Sequence, residues 1–214
     1  MPPQASPDAA PLIVVIDDEE PIRAALRSLL RSVGFEVEAF ASPQAFIAAD
    51  VAPKVNCLIL DIRLPMASGL DVQAQLAGMG LQVPIVFITG HGDIPMTVRA
   101  MKAGAVDFLA KPFRDQDLLD AVAVAIERDR RLRDGDTARR DQQERFRSLS
   151  EREREVMALA TAGLMNKQIA HELGLSEITV KIHRGKVMRK MAAQSLAELV
   201  RMADALGVRP QRPQ

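Results

Sequence analysis

Over the first 126 residues, short apolar runs alternate with longer stretches in which apolar positions recur at helical spacing. The runs are LIVVI (12–16), FEVEAF (35–40), CLIL (57–60), VPIVFI (83–88) and AVDFL (105–109), all of strand length. Between the first two, EPIRAALRSLLRSVG sets Ile22, Leu26, Leu29 and Leu30 at helical spacing and reaches Gly34, a helix stop. Repeated strand-then-helix order predicts five strands in a parallel sheet with helices on both faces. In such a sheet ligands gather at the carboxyl ends of the strands, near the point where strand order reverses.

From residue 148 the pattern is helical throughout, with cap residues marking the starts. Ser150 with Glu153, and Ser195 with Glu198, have capping-box spacing, while Asn166 and Ser176 precede two further amphipathic segments. Four short helices are predicted near 150–162, 166–173, 177–191 and 195–206. The intervening ERDRRLRDGDTARRDQQERFR (127–147) carries charges of both signs and almost no apolar face, as a solvated linker does. Its helix propensity would extend the preceding helix, whereas the Asp134-Gly135-Asp136 cluster favours a break. The resulting division is 10–128, a charged helical linker over 129–147, and 148–208.

Composition agrees with two ordinary domains in 214 residues. With 26% charged and 48% hydrophobic residues the chain reads as soluble and globular, and no apolar run approaches the roughly 20 residues that span a bilayer. MPPQASPDAAP lacks a basic region followed by an apolar one, so it reads as a short lead and a cytoplasmic location is expected. The single cysteine, Cys57, adjoins the apolar LIL and is expected to be a buried small hydrophobe, which leaves no disulfide and no zinc cage. The net charge of zero hides an asymmetry: residues 1–126 hold 9 basic and 15 acidic groups, and 148–214 hold 11 and 7. The basic half is the candidate for nucleic acid.

Asp17 and Asp18 follow the first run directly, Asp61 the third, Thr89 the fourth, and Lys111 comes after the fifth. All five therefore fall at one edge of the predicted sheet. A single aspartate at a strand end is commonly a helix cap, but three converging carboxylates repel unless a cation offsets them. A hard divalent ion such as Mg²⁺ with oxygen ligands is the natural resolution. A lysine and a hydroxyl facing that ion suit a phosphoryl group.

Residues 10–128 resemble the receiver domain of two-component response regulators through VVIDDEE, LDIRLPMASG, FITGHGD and VDFLAKPF. The resemblance implies an α/β, flavodoxin-like (βα)5 fold in which Asp61 accepts a phosphoryl group from the phosphohistidine of a partner kinase. It implies Mg²⁺ held by Asp18, Asp61 and the backbone carbonyl of Arg63, with Asp17 assisting through water. Lys111 would pair with the phosphoryl oxygens, Thr89 would move to hydrogen-bond them, and Phe108 would be the switch aromatic. Lys111-Pro112 falls where the family has a cis peptide, and Pro65 and Gly69 read as turn residues. His91 is left out of the site.

In the basic half, Gly174-Leu175-Ser176 supplies the short turn of a helix-turn-helix. On the wheel of 177–191, Val180, Val187 and Met191 face inward, and Ile178, Lys181, Ile182, Gly185 and Arg189 face outward. Lys181, Arg184, Lys186, Arg189 and Lys190 would supply affinity for phosphates, and Ile182 suits a thymine methyl. His171 and His183 read as packing or surface residues. SEREREVMALATAGLMNKQIAHELGLSEITVKIHRGKVMRKM resembles the LuxR-type helix-turn-helix of the NarL/FixJ subfamily. That resemblance implies an all-α, four-helix domain with 177–191 in the major groove, Lys167 and Thr179 near phosphates, and 195–206 available for dimer contact. Gly185 departs from the family, which generally has a side chain there able to touch DNA.

The expected function is a transcription regulator, not an enzyme, in which phosphorylation favours a homodimer on double-stranded promoter DNA, with RNA polymerase a further partner. The dimer face is expected over residues 94–128. A metal-dependent hydrolase would need a further base or a cleft, and an interaction module without phosphorylation would not need the full set of five pocket residues.

Overall fold

In the computed structural model, which describes residues 10–65, 67–90 and 94–208, the five expected strands alternate with helices up to the linker. The elements are β1 (Leu12–Ile16), α1 (Glu20–Ser32), β2 (Glu36–Phe40), α2 (Pro43–Ala48), β3 (Cys57–Asp61), β4 (Arg63–Leu64), β5 (Ala67–Ser68), α3 (Gly69–Gly78), β6 (Ile85–Thr89), α4 (Ile94–Lys102), β7 (Asp107–Ala110) and α5 (Asp115–Arg147). His91 and the lead up to residue 9 lie outside the described residues.

β2, β1, β3, β6 and β7 form, in that order, one parallel sheet. The order reverses between β1 and β3, so the crevice of such a sheet opens where Asp17 and Asp61 emerge. Period-two alternation sorts the core into two layers. Val14, Ile16, Leu58, Leu60 and Phe87 meet α2, α3 and α4 through Phe46, Val72, Leu76 and Ala100. Ile13, Val15, Ile59, Val86 and Ile88 meet α1 and α5 through Leu26, Leu30, Leu118 and Val122. Each such fully buried aliphatic or aromatic side chain contributes about 1.5–3 kcal/mol.

Strand ends differ from expectation for local reasons. Pro84 has no N–H to give, and only its carbonyl joins the ladder, accepting from Leu58 N at 2.9 Å, so β6 begins at Ile85. Ala105 N donates to Ala100 O at 3.1 Å and closes α4, which delays β7 to Asp107. At their carboxyl ends β3, β6 and β7 run on to Asp61, Thr89 and Ala110. The small antiparallel pair β4–β5 was not expected.

At the amino-terminal edge of the sheet, Asn56 Oδ1 accepts from Leu12 N at 2.8 Å and Asn56 Nδ2 donates to Asp129 Oδ2 at 2.7 Å. Arg133 Nε donates to the same carboxylate at 2.6 Å, and its Nη1 and Nη2 reach the carbonyls of Pro53 and Val55 at 3.1 and 2.9 Å. α5 thus continues unbroken through Gly135, and the chain divides into two compact units between Arg133 and Asp134.

The second unit holds α6 (Glu151–Thr161), α7 (Asn166–Leu173), α8 (Glu177–Met191) and α9 (Leu196–Leu206). Ser150 and Glu153 form the expected capping box. Ser195 Oγ accepts from Glu198 N, but the Glu198 carboxylate accepts from Gln194 N, so that box is only half made. Asn166 is not a cap: it is the first residue of α7, and Gln168 Oε1 accepts from Met165 N at 2.8 Å in its place. Leu149, Met157, Val187, Met191 and Leu199 pack together, joined by Phe146 from the end of α5.

Candidate functional site

The carboxyl ends of β1 and β3 bring Asp17 and Asp61 to one lysine. Lys111 Nζ donates to Asp17 Oδ2 and to Asp61 Oδ2, each at 2.7 Å. Asp17 is fully buried and Asp61 is 5% exposed, so two carboxylates share one cation in a largely water-free place. Their other oxygens are fixed by backbone: Asp17 Oδ1 accepts from Glu19 N and Asp61 Oδ1 from Arg63 N, both at 2.8 Å. Burial works against the Lys111 ammonium, but the hydrogen bonds and charges of Asp17 and Asp61 outweigh it and hold its pKa above the usual lysine value.

Asp18 is exposed beside them, and ligand oxygens of Asp17, Asp18 and Asp61 all lie within 4.8 Å of one another. Three carboxylates at that spacing form a hard oxygen donor set of the kind Mg²⁺ takes. Arg63 is exposed, and its backbone N–H is what it gives to Asp61. Thr89 is buried at the end of β6, and its carbonyl accepts from Lys111 N at 2.7 Å, which locks β7 beside it. Phe108 is half-buried on β7 against the α3/α4 layer of the core, and the Lys111-Pro112 bond is cis. All five predicted pocket residues therefore come to one rim.

Two neighbours escaped the sequence reading. Glu19 Oε1 lies 3.9 Å from Lys111 Nζ, and Arg23 Nη1 donates to the Asp17 carbonyl at 2.6 Å. The DDEE run was the available signal for Glu19. Gly69, read as a turn residue, opens α3 with its Cα against β3, where a Cβ would stand 2.8 Å from Asp61 O.

In the second unit, α7, Gly174 in the left-handed conformation and α8 form the expected helix-turn-helix. Val180, Val187 and Met191 are buried, and Ile178 and Ile182 are 74% and 53% exposed. Lys167, Lys181, Lys186 and Arg189 are exposed, and a Cβ on Gly185 would meet open space. Thr179 is half-buried, with its Oγ1 2.8 Å from the Ser176 cap hydroxyl. Arg184 and Lys190 instead turn back toward the domain.

Two family models match the chain: the response regulator receiver domain over residues 13–123, and the luxR family of bacterial regulatory proteins over residues 147–203. The chain is a two-component response regulator of the NarL/FixJ type. This response regulator is 55% identical to Nodulation protein W of Bradyrhizobium diazoefficiens over 197 residues, 92% of this chain and 87% of that protein. It is 43% identical to the transcriptional regulatory protein FixJ of Rhizobium meliloti, covering 92% and 96% of the two chains. The solved structure of the response regulator StyR is similar over 92% of this chain and 99% of that one, at 47% identity and a TM-score of 0.81. A receiver domain implies a histidine kinase partner, and a LuxR-type domain implies DNA binding. Such a regulator is not an enzyme, which leaves the metal-dependent hydrolase without support. No described helix is long and apolar enough to cross a membrane.

Proposed function

We propose that this response regulator, in the cytoplasm, is switched by phosphoryl transfer from its histidine kinase to Asp61, and that the switched form dimerises on promoter DNA and activates transcription. The observation that carries this reading is the pair of 2.7 Å contacts from Lys111 to Asp17 and Asp61. An Asp61 carboxylate oxygen attacks the phosphorus of the phosphohistidine, the N–P bond breaks, and its electron pair returns to the imidazole. Backbone N–H of Arg63 holds the other oxygen, so the attacking one is aimed. Asp18, Asp61 and the Arg63 carbonyl, with Asp17 assisting through water, would hold Mg²⁺, whose charge would offset that gathering on the transferred group. Lys111 then passes from the carboxylate to a phosphoryl oxygen, Thr89 Oγ1 donates to another, and Phe108 follows Thr89.

Residues 10–128 carry this chemistry, 129–147 link, and 148–208 read DNA. On α4, Ile94 is 81% exposed, with Val98 and Met101 following it at helical spacing, an apolar stripe suited to a homodimer face within 94–128. Lys181, Ile182, Lys186 and Arg189 meet the major groove and its phosphates, with Lys167 and Thr179 at the flanking backbone. RNA polymerase is the partner that activation requires.

Incubation with Mg²⁺ and acetyl phosphate is expected to add one phosphoryl group, read by intact-mass spectrometry, and to shift the protein to a dimer in size-exclusion chromatography. Label retained in Asp61→Asn would remove the assignment.

A further inference from the structure

The five basic groups of α8 do not form one solvated face. Lys181, Lys186 and Arg189 are exposed and enter no described hydrogen bond or ion pair. Arg184 is half-buried: its stem lines a gap of about 10 Å³ with Val156, Val187 and Leu199, and its Nη1 donates to Asn166 Oδ1 at 2.7 Å. Lys190 Nζ donates to Glu153 Oε2 at 2.6 Å and to the Ser148 carbonyl at 3.1 Å. Glu153 is 4% exposed, and the same oxygen accepts from Ser150 N at 2.9 Å to close the cap of α6. Lys190 is itself exposed, but swinging away would leave the buried Glu153 carboxylate with no cation and only the Ser150 N–H as partner, a cost that charged groups make large.

The two contacts brace α8 from two sides, one to the first residue of α7 and one to the first turn of α6. Base readout depends on that brace, because a side-chain hydrogen bond to a base edge weakens steeply with small errors in distance and angle. We infer that Arg184 and Lys190 are positioning residues that fix α8 against α7 and α6, leaving Lys181, Lys186 and Arg189 as the cations of α8 that meet DNA. This rests on α8 being the DNA reader. It sets the counterion release from α8 at about 2.7 in salt slope per protomer, against about 4.5 if all five cations met phosphates.

The test uses the full chain phosphorylated with acetyl phosphate, and fluorescence anisotropy across a KCl series. The probes are a duplex enriched by the wild type from a random library and a scrambled duplex of equal length. Lys181→Ala, Lys186→Ala and Arg189→Ala are each expected to lower the salt slope by about 0.9. Arg184→Ala and Asn166→Ala are each expected to lose roughly tenfold on the enriched duplex, with the slope and the scrambled-duplex affinity unchanged and the double variant no worse than either single one. The pair Lys190→Met with Glu153→Gln, which orphans no charge, is expected to behave in the same way. If Arg184→Ala lowers the slope as much as Lys181→Ala while Asn166→Ala is silent, the inference is overturned. If Lys181→Ala changes neither affinity nor slope, α8 is not the reader. Thermal unfolding then decides the brace: coupling between Asn166 and Arg184 supports it, and additivity removes it.

Discussion

Gly69 stands so close to Asp61 that a Cβ on residue 69 would lie 2.8 Å from the Asp61 carbonyl oxygen and 3.0 Å from Ile62 Cα. Both obstacles are backbone, so neither can rotate away. Gly69→Ala is expected to lower stability by about 1–3 kcal/mol, the usual cost of overpacking a dense interior. Because the displaced atoms include the carbonyl of Asp61, the proposed acceptor, phosphorylation by acetyl phosphate should slow in the folded variant. Calorimetry and a phosphorylation time course check the two parts separately.

Bringing Asp17, Asp18 and Asp61 within 4.8 Å of one another leaves more negative charge than Lys111 offsets. Mg²⁺ is therefore expected to raise the melting temperature, the gain being about 2.7 kcal/mol at a hundred times its Kd. Asp18→Asn, at an exposed position, should fold normally and lose most of that shift. An undiminished shift would place the ion elsewhere.

Glu153 is held below the usual carboxylate range by the Lys190 hydrogen bond and then by the Ser150 backbone N–H, against the opposing effect of burial. A depressed folded-state pKa means that the unfolded chain binds more protons in the acid window. Stability from this group is thus present above the unfolded value of about 4.3 and is lost as pH falls from there through the lower folded value. The second unit should weaken below that pH in a calorimetric series, and Lys190→Met should flatten the dependence.

Burial, with a lesser contribution from the charge of Asp129, pushes the Cys57 thiol far above its ordinary pKa. The native protein is expected to resist thiol reagents at neutral pH, and labelling should track unfolding of the first unit in denaturant. Rapid labelling of the folded chain would contradict this.

The pocket was legible in the sequence because Asp17, Asp61 and Thr89 each follow or end an apolar run, and strand ends of a parallel sheet share a rim. The inward face of α8 was legible for a similar reason, since helical periodicity alone puts Val180, Val187 and Met191 together. Contacts between distant segments were not. Arg184 reads on the wheel as one cation among five, and only the packing of α7 against α8 brings Asn166, 18 positions away, to its guanidinium. The link from Asn56 to Asp129 spans 73 positions, and no local pattern encodes it. The strand starts slipped because a missing N–H at Pro84 and a helix closure at Ala105 outweigh apolar character.

That Asn56–Asp129 link sits at the opposite rim of the sheet from Asp61, and β3 is the rod between them. Its five residues, Cys57–Asp61, measure about 16 Å at the rise of an extended strand. Chemistry and tether thus occupy the two ends of one buried strand and share no side chain. Substitutions at Asn56, Asp129 or Arg133 would change how firmly α5 is held without touching any side chain that contacts Asp61.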